Sequence, residues 1–157
     1  MATIITILIL VAVIAAAVHI SRQLGPELAK SRAEEAATGK MFKWRSSGDY
    51  DTEVVGESFY KDDLAKLLGN RGETSTTAVL VPYEHPKDSN AVRVEIQGLV
   101  VGHLSRDDAP DFRRLLAKKH KALATSCCKA QIGGGALRAD GTQAPIGVFL
   151  DIADFQQ

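Results

Sequence analysis

Residues 79–109 have the sequence VLVPYEHPKDSNAVRVEIQGLVVGHLSRDDA, in which strand, turn and helix-start patterns follow one another without a gap. The first three residues are apolar and favour a strand, and residues 82–90 are rich in turn-forming Pro, Asp, Ser and Asn. Residues 91–96 then alternate apolar with charged side chains, which is typical of a half-buried strand. Gln97-Gly98 predicts a tight turn into another strand over residues 99–104. This segment therefore predicts a compact β module.

Two helices are expected beside these strands. Ser105 and Asp108 have the spacing of a capping box, and Pro110 follows in the first turn, where its missing N–H costs nothing. These signals predict a helix over about residues 107–123. Upstream, residues 60–68 predict a short helix, because acidic side chains in its first turn favour the helix dipole and a glycine ends it.

The remaining segments complete a mainly β domain. Residues 125–132 and 146–152 have the apolar and β-branched character of strands, and the glycine-rich segment between them predicts a loop. Residues 69–77 are polar and contain glycine, so we expect a loop there too.

Three motifs in this region resemble the pattern of the HIRAN domain, a module of some DNA-remodelling helicases that also occurs as a stand-alone bacterial domain. They are Val55-Gly56-Glu57-Ser58-Phe59-Tyr60, Pro86-Lys87-Asp88-Ser89-Asn90-Ala91-Val92-Arg93-Val94 and Val101-Gly102-His103-Leu104. The resemblance covers residues 52–152 and leaves residues 153–157 as a tail. It implies an α+β fold that is mainly β, a small OB-like β-barrel with two short helices. It also implies binding of a single-stranded DNA end.

The resemblance further implies where such an end would bind. Phe59 stands at a position that is usually aromatic and lines the DNA-end pocket, and Asp88 at one that resembles the acid contacting the terminal hydroxyl. Arg106 occupies a basic, phosphate-facing position. The alternatives are that Phe59 belongs to the core and that Asp88 only shapes its turn. The candidate nucleic-acid-binding residues are Phe59, Tyr60, His85, Lys87, Asp88, His103 and Arg106.

Two of these residues depart from the pattern of the DNA-end readers. His85 stands where those readers carry Asn, and Lys87 stands where they carry an aromatic residue. A lysine at that position replaces a stacking platform worth ~1–3 kcal/mol per base with a cation for a phosphate.

The distribution of charge limits the nucleic-acid interpretation. The chain has 19 basic and 19 acidic residues, and residues 21–48 hold six basic and three acidic ones, so 13 basic and 16 acidic residues remain from Asp49 onward. Phosphate binding depends on Lys and Arg, so any nucleic-acid site in this net acidic domain must be a local patch. The same balance favours an alternative function, a protein-interaction module that uses the same barrel face.

The chain begins with an apolar segment. Residues 2–20 contain no charged side chain and would span ~28 Å as a helix at ~1.5 Å per residue, close to the ~30 Å hydrocarbon core of a bilayer. The ten central Ile, Leu and Val residues of this segment, between Ile4 and Val18, favour insertion. We therefore expect residues 1–20 to form a single transmembrane anchor.

A cleaved signal peptide is the alternative for this segment, since Ala15-Ala16-Ala17 places small residues behind an apolar run. A signal peptide normally begins with basic residues, whereas here positive charge starts at Arg22. By the positive-inside bias, the C-terminal domain stays in the cytoplasm. Cys127 and Cys128, adjacent and without a third cysteine, make no disulfide framework and favour the same location. In a strand they would point to opposite faces, so they are not expected to share a zinc ion.

Residues 21–51 are predicted to be a charged juxtamembrane linker. Gly25-Pro26 is expected to break the membrane helix, and residues 26–37 are expected to form a solvated helical spacer. Phe42 and Trp44, which alternate with basic residues, either pack against the outside of the barrel or dock on anionic headgroups.

The sequence contains no catalytic motif that we recognise. Gly133-Gly134-Gly135 lacks the Lys and Ser/Thr of a phosphate-binding loop, and His85 and His103 have no evident third partner for a metal ion. The motor motifs of HIRAN-containing helicases are also missing. We therefore expect no enzyme activity, no cofactor and no metal. The expected function is a membrane-tethered module that binds nucleic acid, with single-stranded DNA ends as the candidate ligand.

Overall fold

The computed structural model describes residues 2–119, 121–136 and 138–155, and most side chains from residue 2 to residue 23 lie outside this description. The elements are α1 (Ala2–Ala37), β1 (Phe42–Lys43), β2 (Thr52–Val55), α2 (Lys61–Leu68), β3 (Glu73–Pro82), β4 (Val92–Ile96), β5 (Leu99–Leu104), α3 (Asp108–Lys118), β6 (Ser126–Gly134) and β7 (Ile146–Asp151). Short 3₁₀ turns cover Glu57–Phe59 and Ala153–Phe155.

Six strands close an antiparallel barrel in the order β6-β3-β4-β5-β2-β7, because β7 returns to pair with β6. β1 adds a seventh strand that runs parallel to β6. Closure of the sheet satisfies the backbone groups that an open sheet would leave at its edges. The barrel fits the expected OB-like fold, and α2 and α3 are the two short helices of the domain.

The interior of the barrel follows the two-residue period of its strands. On β3, Ala78 and Leu80 point into the core, whereas Val79 points outward and packs in a second, smaller cluster. Phe112 and Leu116 of α3 are fully buried against the same core. The apolar face of α3 therefore covers part of the barrel.

The β4–β5 hairpin confirms the tight turn predicted at Gln97-Gly98. Both residues have positive φ angles, 51° and 80°, as a two-residue type I′ turn requires. Gly98 also lies against α1, since a Cβ at this position would be 3.3 Å from the backbone nitrogen of Lys30. The turn and the helix contact both favour glycine here.

The start of α3 confirms the predicted cap. The backbone N–H of Asp108 donates to Ser105 Oγ at 3.0 Å, and the Ser105 hydroxyl donates to Asp108 Oδ2 at 2.6 Å. The helix ends at Lys118, five residues before the predicted end. A turn closed by the 2.8 Å bond from Ala124 N–H to the Lys121 carbonyl takes the chain into β6 instead.

The loop predicted over residues 69–77 is wrong in its second half. β3 begins at Glu73, and residues 73–77 pair with residues 129–133 of β6. Three threonines in this segment suit a strand, and pairing with a long neighbour outweighs the polarity of the side chains.

The predicted break at Gly25-Pro26 is also wrong, because α1 continues through Pro26. A proline inside a helix removes one backbone hydrogen bond and crowds the preceding turn, but here the helix continues past it. The C-terminal part of α1 is not a solvated spacer either. Ala29 is buried, and Arg32 forms an ion pair with Glu95 of the barrel.

Residues upstream of Thr52 contribute to the packed barrel. Trp44 is only 2% exposed, and its Nε1–H donates to Ser126 Oγ at 2.9 Å. Phe42 packs partly buried beside it, with 5.1 Å between the ring centroids. Of the two alternatives for these aromatic residues, packing on the barrel is therefore the one observed, and Trp44 reaches the core itself.

The two cysteines lie on opposite faces of β6, as predicted. Cys128 belongs to the barrel core, and Cys127 packs with Met41 and Val79 beside α1. Both are free thiols, and burial raises the pKa of each.

No helix in the described part of the chain is long and apolar enough to cross a membrane. The predicted anchor over residues 2–20 depends on side chains that mostly lie outside this description. It stays a prediction.

Candidate nucleic-acid interface

Tyr83, His85, Arg93 and His103 form a group of side chains that we call the Tyr83 cluster. The Tyr83 ring centroid lies 6.2 Å from that of His85 and 6.0 Å from that of His103. The guanidinium carbon of Arg93 lies 5.6 Å from the centre of the Tyr83 ring. Three flat rings and one cation therefore meet at one place on the barrel.

Strand pairing builds this cluster on the outer face of the sheet. Arg93 of β4 is the antiparallel partner of His103 of β5, and His103 is in turn the partner of Val55 of β2. Val92 and Val94 point into the core, so Arg93 between them points outward.

The loop after β3 is held in shape by its own polar groups. Its ends are joined by the bond from Tyr83 N–H to the Ala91 carbonyl, 3.0 Å long, and His85 and Asp88 pair through their backbones. Asp88 Oδ1 accepts from the Asn90 N–H at 2.9 Å. The carboxylate therefore shapes the turn, as one of the two interpretations expected. The other, contact with a ligand, remains a prediction.

His85 and Lys87 share a local hydrogen bond. The backbone N–H of Lys87 donates to His85 Nδ1 at 3.2 Å, so a neutral His85 carries its proton on Nε2. The side chains of both residues are exposed. The loop therefore presents the ammonium group of Lys87 to solvent.

Phe59 is not a core residue, because it is 87% exposed. It ends the 3₁₀ turn that follows Gly56, four residues after the Val55 that pairs with His103. Tyr60 comes next, directly before α2, and lies close enough to Tyr83 to influence its pKa. An exposed ring of this kind can stack on another flat group.

Burial and the charge of Arg93 shift the pKa values of His103 and Tyr83. Burial lowers the pKa of His103, and the positive charge of Arg93 and the neighbouring His85 lower it further. Burial also raises the pKa of Tyr83, although Arg93 opposes this effect. His103 and Tyr83 are therefore both uncharged at pH 7, and Arg93 supplies a permanent charge.

Arg106, the last of the predicted site residues, is not part of the Tyr83 cluster. It lies exposed in the turn between β5 and α3, one residue after the capping Ser105. The structure thus brings His85 and His103 to the same tyrosine, Tyr83. Lys87 and Asp88 lie in the same loop as His85, and Tyr60 is close enough to Tyr83 to influence its pKa.

Two members of the cluster, Tyr83 and Arg93, were missed among the candidate residues. The alternation over residues 91–96 carried a signal for Arg93, since a charged residue between two buried valines must point outward. Its pairing with His103 then depends on the register of the hairpin. Tyr83 carried no signal beyond its position at the end of a strand.

Arg93 also belongs to an ion-pair network that joins the barrel to α1. Glu95 is 1% exposed and accepts from Arg32 through Nε at 2.9 Å and Nη2 at 2.7 Å. The Nε of Arg93 donates to the same carboxylate at 2.9 Å. We call these three residues the Glu95 network.

A second cationic surface surrounds Phe42 and Trp44. Lys119 Nζ lies 5.7 Å from the Trp44 ring centre, and Lys121 Nζ lies 5.5 Å from that of Phe42. Asp154 accepts from Lys119 at 2.9 Å and from Arg45 at 3.1 Å, which lowers its pKa and offsets part of the positive charge.

In the described ranges, no group of three or more His, Cys, Asp or Glu side chains is arranged to hold a metal ion. Comparisons of the chain with protein-family models, curated proteins and solved structures returned no match. Functional assignment therefore depends on the residues of this chain alone.

Proposed function

We propose that this protein is a membrane-tethered, HIRAN-like module that binds single-stranded nucleic acid, with DNA ends as the candidate ligand. The proposed site consists of the Tyr83 cluster and the neighbouring Phe59. The observation that carries the proposal is the 87% exposure of Phe59, in the turn that follows β2, because Val55 of β2 pairs with His103 of the cluster of three rings and one arginine. Single-strand binding needs flat side chains for bases and cations for phosphates.

The chemistry of the site suits a weakly charged interface. Stacking on aromatic rings is worth ~1–3 kcal/mol per base, and this part of the affinity comes from the ring faces and not from net charge. Lys87 and Arg106 are exposed and available for phosphates. Stacking on the rings with a few phosphate contacts is therefore compatible with the excess of acidic residues from Asp49 onward.

The proposed location follows from the sequence. The uncharged residues 2–20 would anchor the chain, and the basic residues after them would keep the barrel in the cytoplasm. The function that we propose is binding alone, without catalysis.

The same surface also supports an alternative, a protein-interaction module held at the membrane. Val55 is 41% exposed and lies next in the chain to the turn that carries Phe59, so the two provide exposed apolar surface. A protein partner would use that surface without needing phosphate contacts.

Fluorescence anisotropy of the full-length protein in detergent micelles distinguishes the two functions. Single-stranded oligonucleotides with free and blocked 3′ ends are titrated at several salt concentrations. We expect micromolar or tighter binding that weakens with salt, and a shallower salt slope, by about one phosphate contact, for Arg106→Ala. Lys87→Tyr, which restores the aromatic residue of the DNA-end readers, is expected to tighten binding. Absence of salt-sensitive binding would exclude the nucleic-acid function and leave the protein-interaction module.

A further inference from the structure

The C-terminal part of α1 is docked on the barrel through close contacts. Ala29 is 5% exposed, and the backbone at Ala29 and Lys30 lies against the β4–β5 turn at Gly98. Further along the helix, Ala36 packs against the cluster formed by Met41, Val79 and Cys127. These contacts fix both the position and the rotation of α1 on the sheet.

Arg32 lies between these contacts and provides the polar part of the docking. It binds both oxygens of Glu95, Oε2 through Nε at 2.9 Å and Oε1 through Nη2 at 2.7 Å. The Glu95 side chain is 2% exposed, and those of Arg32 and Arg93 are 18% and 30% exposed. One buried carboxylate is therefore shared by two partly buried guanidinium groups, and the network keeps a net positive charge.

Arg93 is shared between this network and the candidate binding face. It donates to Glu95 at 2.9 Å, its guanidinium carbon lies 5.6 Å from the Tyr83 ring centre, and it pairs with His103 across the hairpin. A phosphate that binds at the cluster would compete with Glu95 for Arg93. The carboxylate would stay paired during that exchange only because Arg32 holds it. Without Arg32, release of Arg93 would leave a buried carboxylate without a cation, which is strongly unfavourable.

We propose that docking of α1 and binding of a phosphate-bearing ligand at the Tyr83 cluster are coupled, with Arg32 as a positioning residue that acts through Glu95 and Arg93. The ligand half of this inference rests on the proposed function, whereas the electrostatic half concerns the free protein. Coupling of this kind is reciprocal, so a bound ligand also strengthens the docking of α1. α1 then contributes to ligand binding at the Tyr83 cluster, although it lies outside that cluster.

Two readouts on the full-length protein in micelles test the coupling. The first is the pKa of His103, followed by NMR in the absence of ligand. His103 faces Arg93, His85 and Tyr83, and the charge of Arg93 is one cause of its lowered pKa. The second is the affinity for a single-stranded oligonucleotide, measured by anisotropy.

Arg32→Gln is compared with Lys30→Gln, which removes one positive charge from the same helix. The Lys30 side chain is 71% exposed and is paired with Glu27. For Arg32→Gln we expect the His103 pKa to rise, because Glu95 then neutralises Arg93 more completely, and the affinity to fall by about fivefold or more. For Lys30→Gln we expect neither change. Arg32→Lys keeps the charge without the two-pronged contact and should lie between Arg32→Gln and the unaltered protein.

Glu95→Gln provides a test of opposite sign, since loss of the carboxylate should lower the His103 pKa. The fluorescence emission of the buried Trp44 shows whether each variant keeps its fold. If Arg32→Gln unfolds, Arg32→Lys is compared with Lys30→Gln in its place. Equal behaviour of Arg32→Gln and Lys30→Gln in both readouts would overturn the coupling. If the unaltered protein binds no oligonucleotide, the proposed function fails, and the His103 titration alone then decides whether α1 controls the charge of the cluster.

Discussion

Arg93 lies with its guanidinium carbon 5.6 Å from the centre of the Tyr83 ring and across the β4–β5 pair from His103. A cation in this position favours the neutral form of the imidazole, and burial acts in the same direction. In the function that we propose, Arg93 therefore provides the positive charge for a phosphate at pH 7, and protonated His103 would add a second at lower pH.

The first expectation is a pH-dependent affinity. A bound phosphate favours protonated His103, so binding takes up a proton and oligonucleotide affinity should increase as the pH falls from 8 to 6. His103→Gln should remove the part of this increase that comes from His103. Anisotropy titrations of both proteins at matched ionic strength measure the difference, and identical pH profiles would contradict the role assigned to His103.

Protonation of His103 should strengthen ligand binding, but it should lower the stability of the folded protein. The pKa of His103 in the folded protein is lower than in the unfolded chain, where it is about 6.5, so the unfolded chain binds more protons as the pH falls below that value. The contribution of neutral His103 to the free energy of unfolding is complete above pH ~6.5 and declines as the pH falls toward the lowered pKa. Urea unfolding at pH 8 and pH 5.5 should show a smaller decrease for His103→Gln than for the unaltered protein.

Asp151 should make the barrel sensitive to acid at still lower pH. Burial alone raises the pKa of its carboxyl group, but hydrogen bonds from Ser46, Ser47 and Gly48 outweigh this effect and lower the pKa. The resulting stability is present above the unfolded-state pKa of about 3.9 and is lost as the pH falls through the lower folded-state value. Asp151→Asn should cost roughly 1.5–3 kcal/mol at pH 7 and leave a flatter stability profile between pH 5 and 2. A variant as stable as the unaltered protein would show that the loop over residues 46–48 contributes little.

Trp44 should be one of the largest contributors to stability from outside the closed barrel. It packs 5.3 Å from Phe112, centroid to centroid, and its indole N–H is bonded to Ser126. Trp44→Ala should destabilise the protein by about 3–5 kcal/mol, and Ser126→Ala, which leaves the buried N–H without its acceptor, by about 1–3 kcal/mol. Thermal unfolding followed by circular dichroism measures both. Lys43→Ala, a neighbouring exposed position, is the control and should change stability by less than ~0.5 kcal/mol.

The sequence predicts those parts of the fold that depend on local patterns. The Gln97-Gly98 turn, the Ser105 cap and the opposite orientation of the two cysteines each follow from two to four neighbouring residues. Residues 73–77 were assigned to a loop because their strand character depends on pairing with β6, about 55 residues away in the chain. Local polarity does not contain that information.

The candidate site was predictable in part for the same reason. His85, Lys87 and Asp88 lie in a loop that its turn-forming residues predict. Phe59 and His103 lie in the motifs at residues 55–60 and 101–104. Arg93 joins them only through the register of β4 and β5, which shifts at a bulge between Val94 and Glu95. The proposed role of Arg32 depends on the docking of α1, which brings Arg32 to Glu95 although the two are more than 60 residues apart in the chain. A single arginine in a charged segment does not predict that contact.

Phe59 provides the most direct test of the central claim that the Tyr83 cluster and its neighbouring ring bind single-stranded nucleic acid. Because its side chain is 87% exposed, Phe59→Ala should change the free energy of unfolding by less than ~0.5 kcal/mol. Leu123→Ala is the matched control, since Leu123 is a 70% exposed apolar residue in the turn between α3 and β6. The decisive measurement is the oligonucleotide dissociation constant of the two variants by anisotropy. We expect Phe59→Ala to weaken binding by about tenfold, as loss of one stacking contact worth ~1–3 kcal/mol requires, and Leu123→Ala to leave it unchanged. Equal dissociation constants for Phe59→Ala and the unaltered protein would contradict the assignment of this face as the binding site.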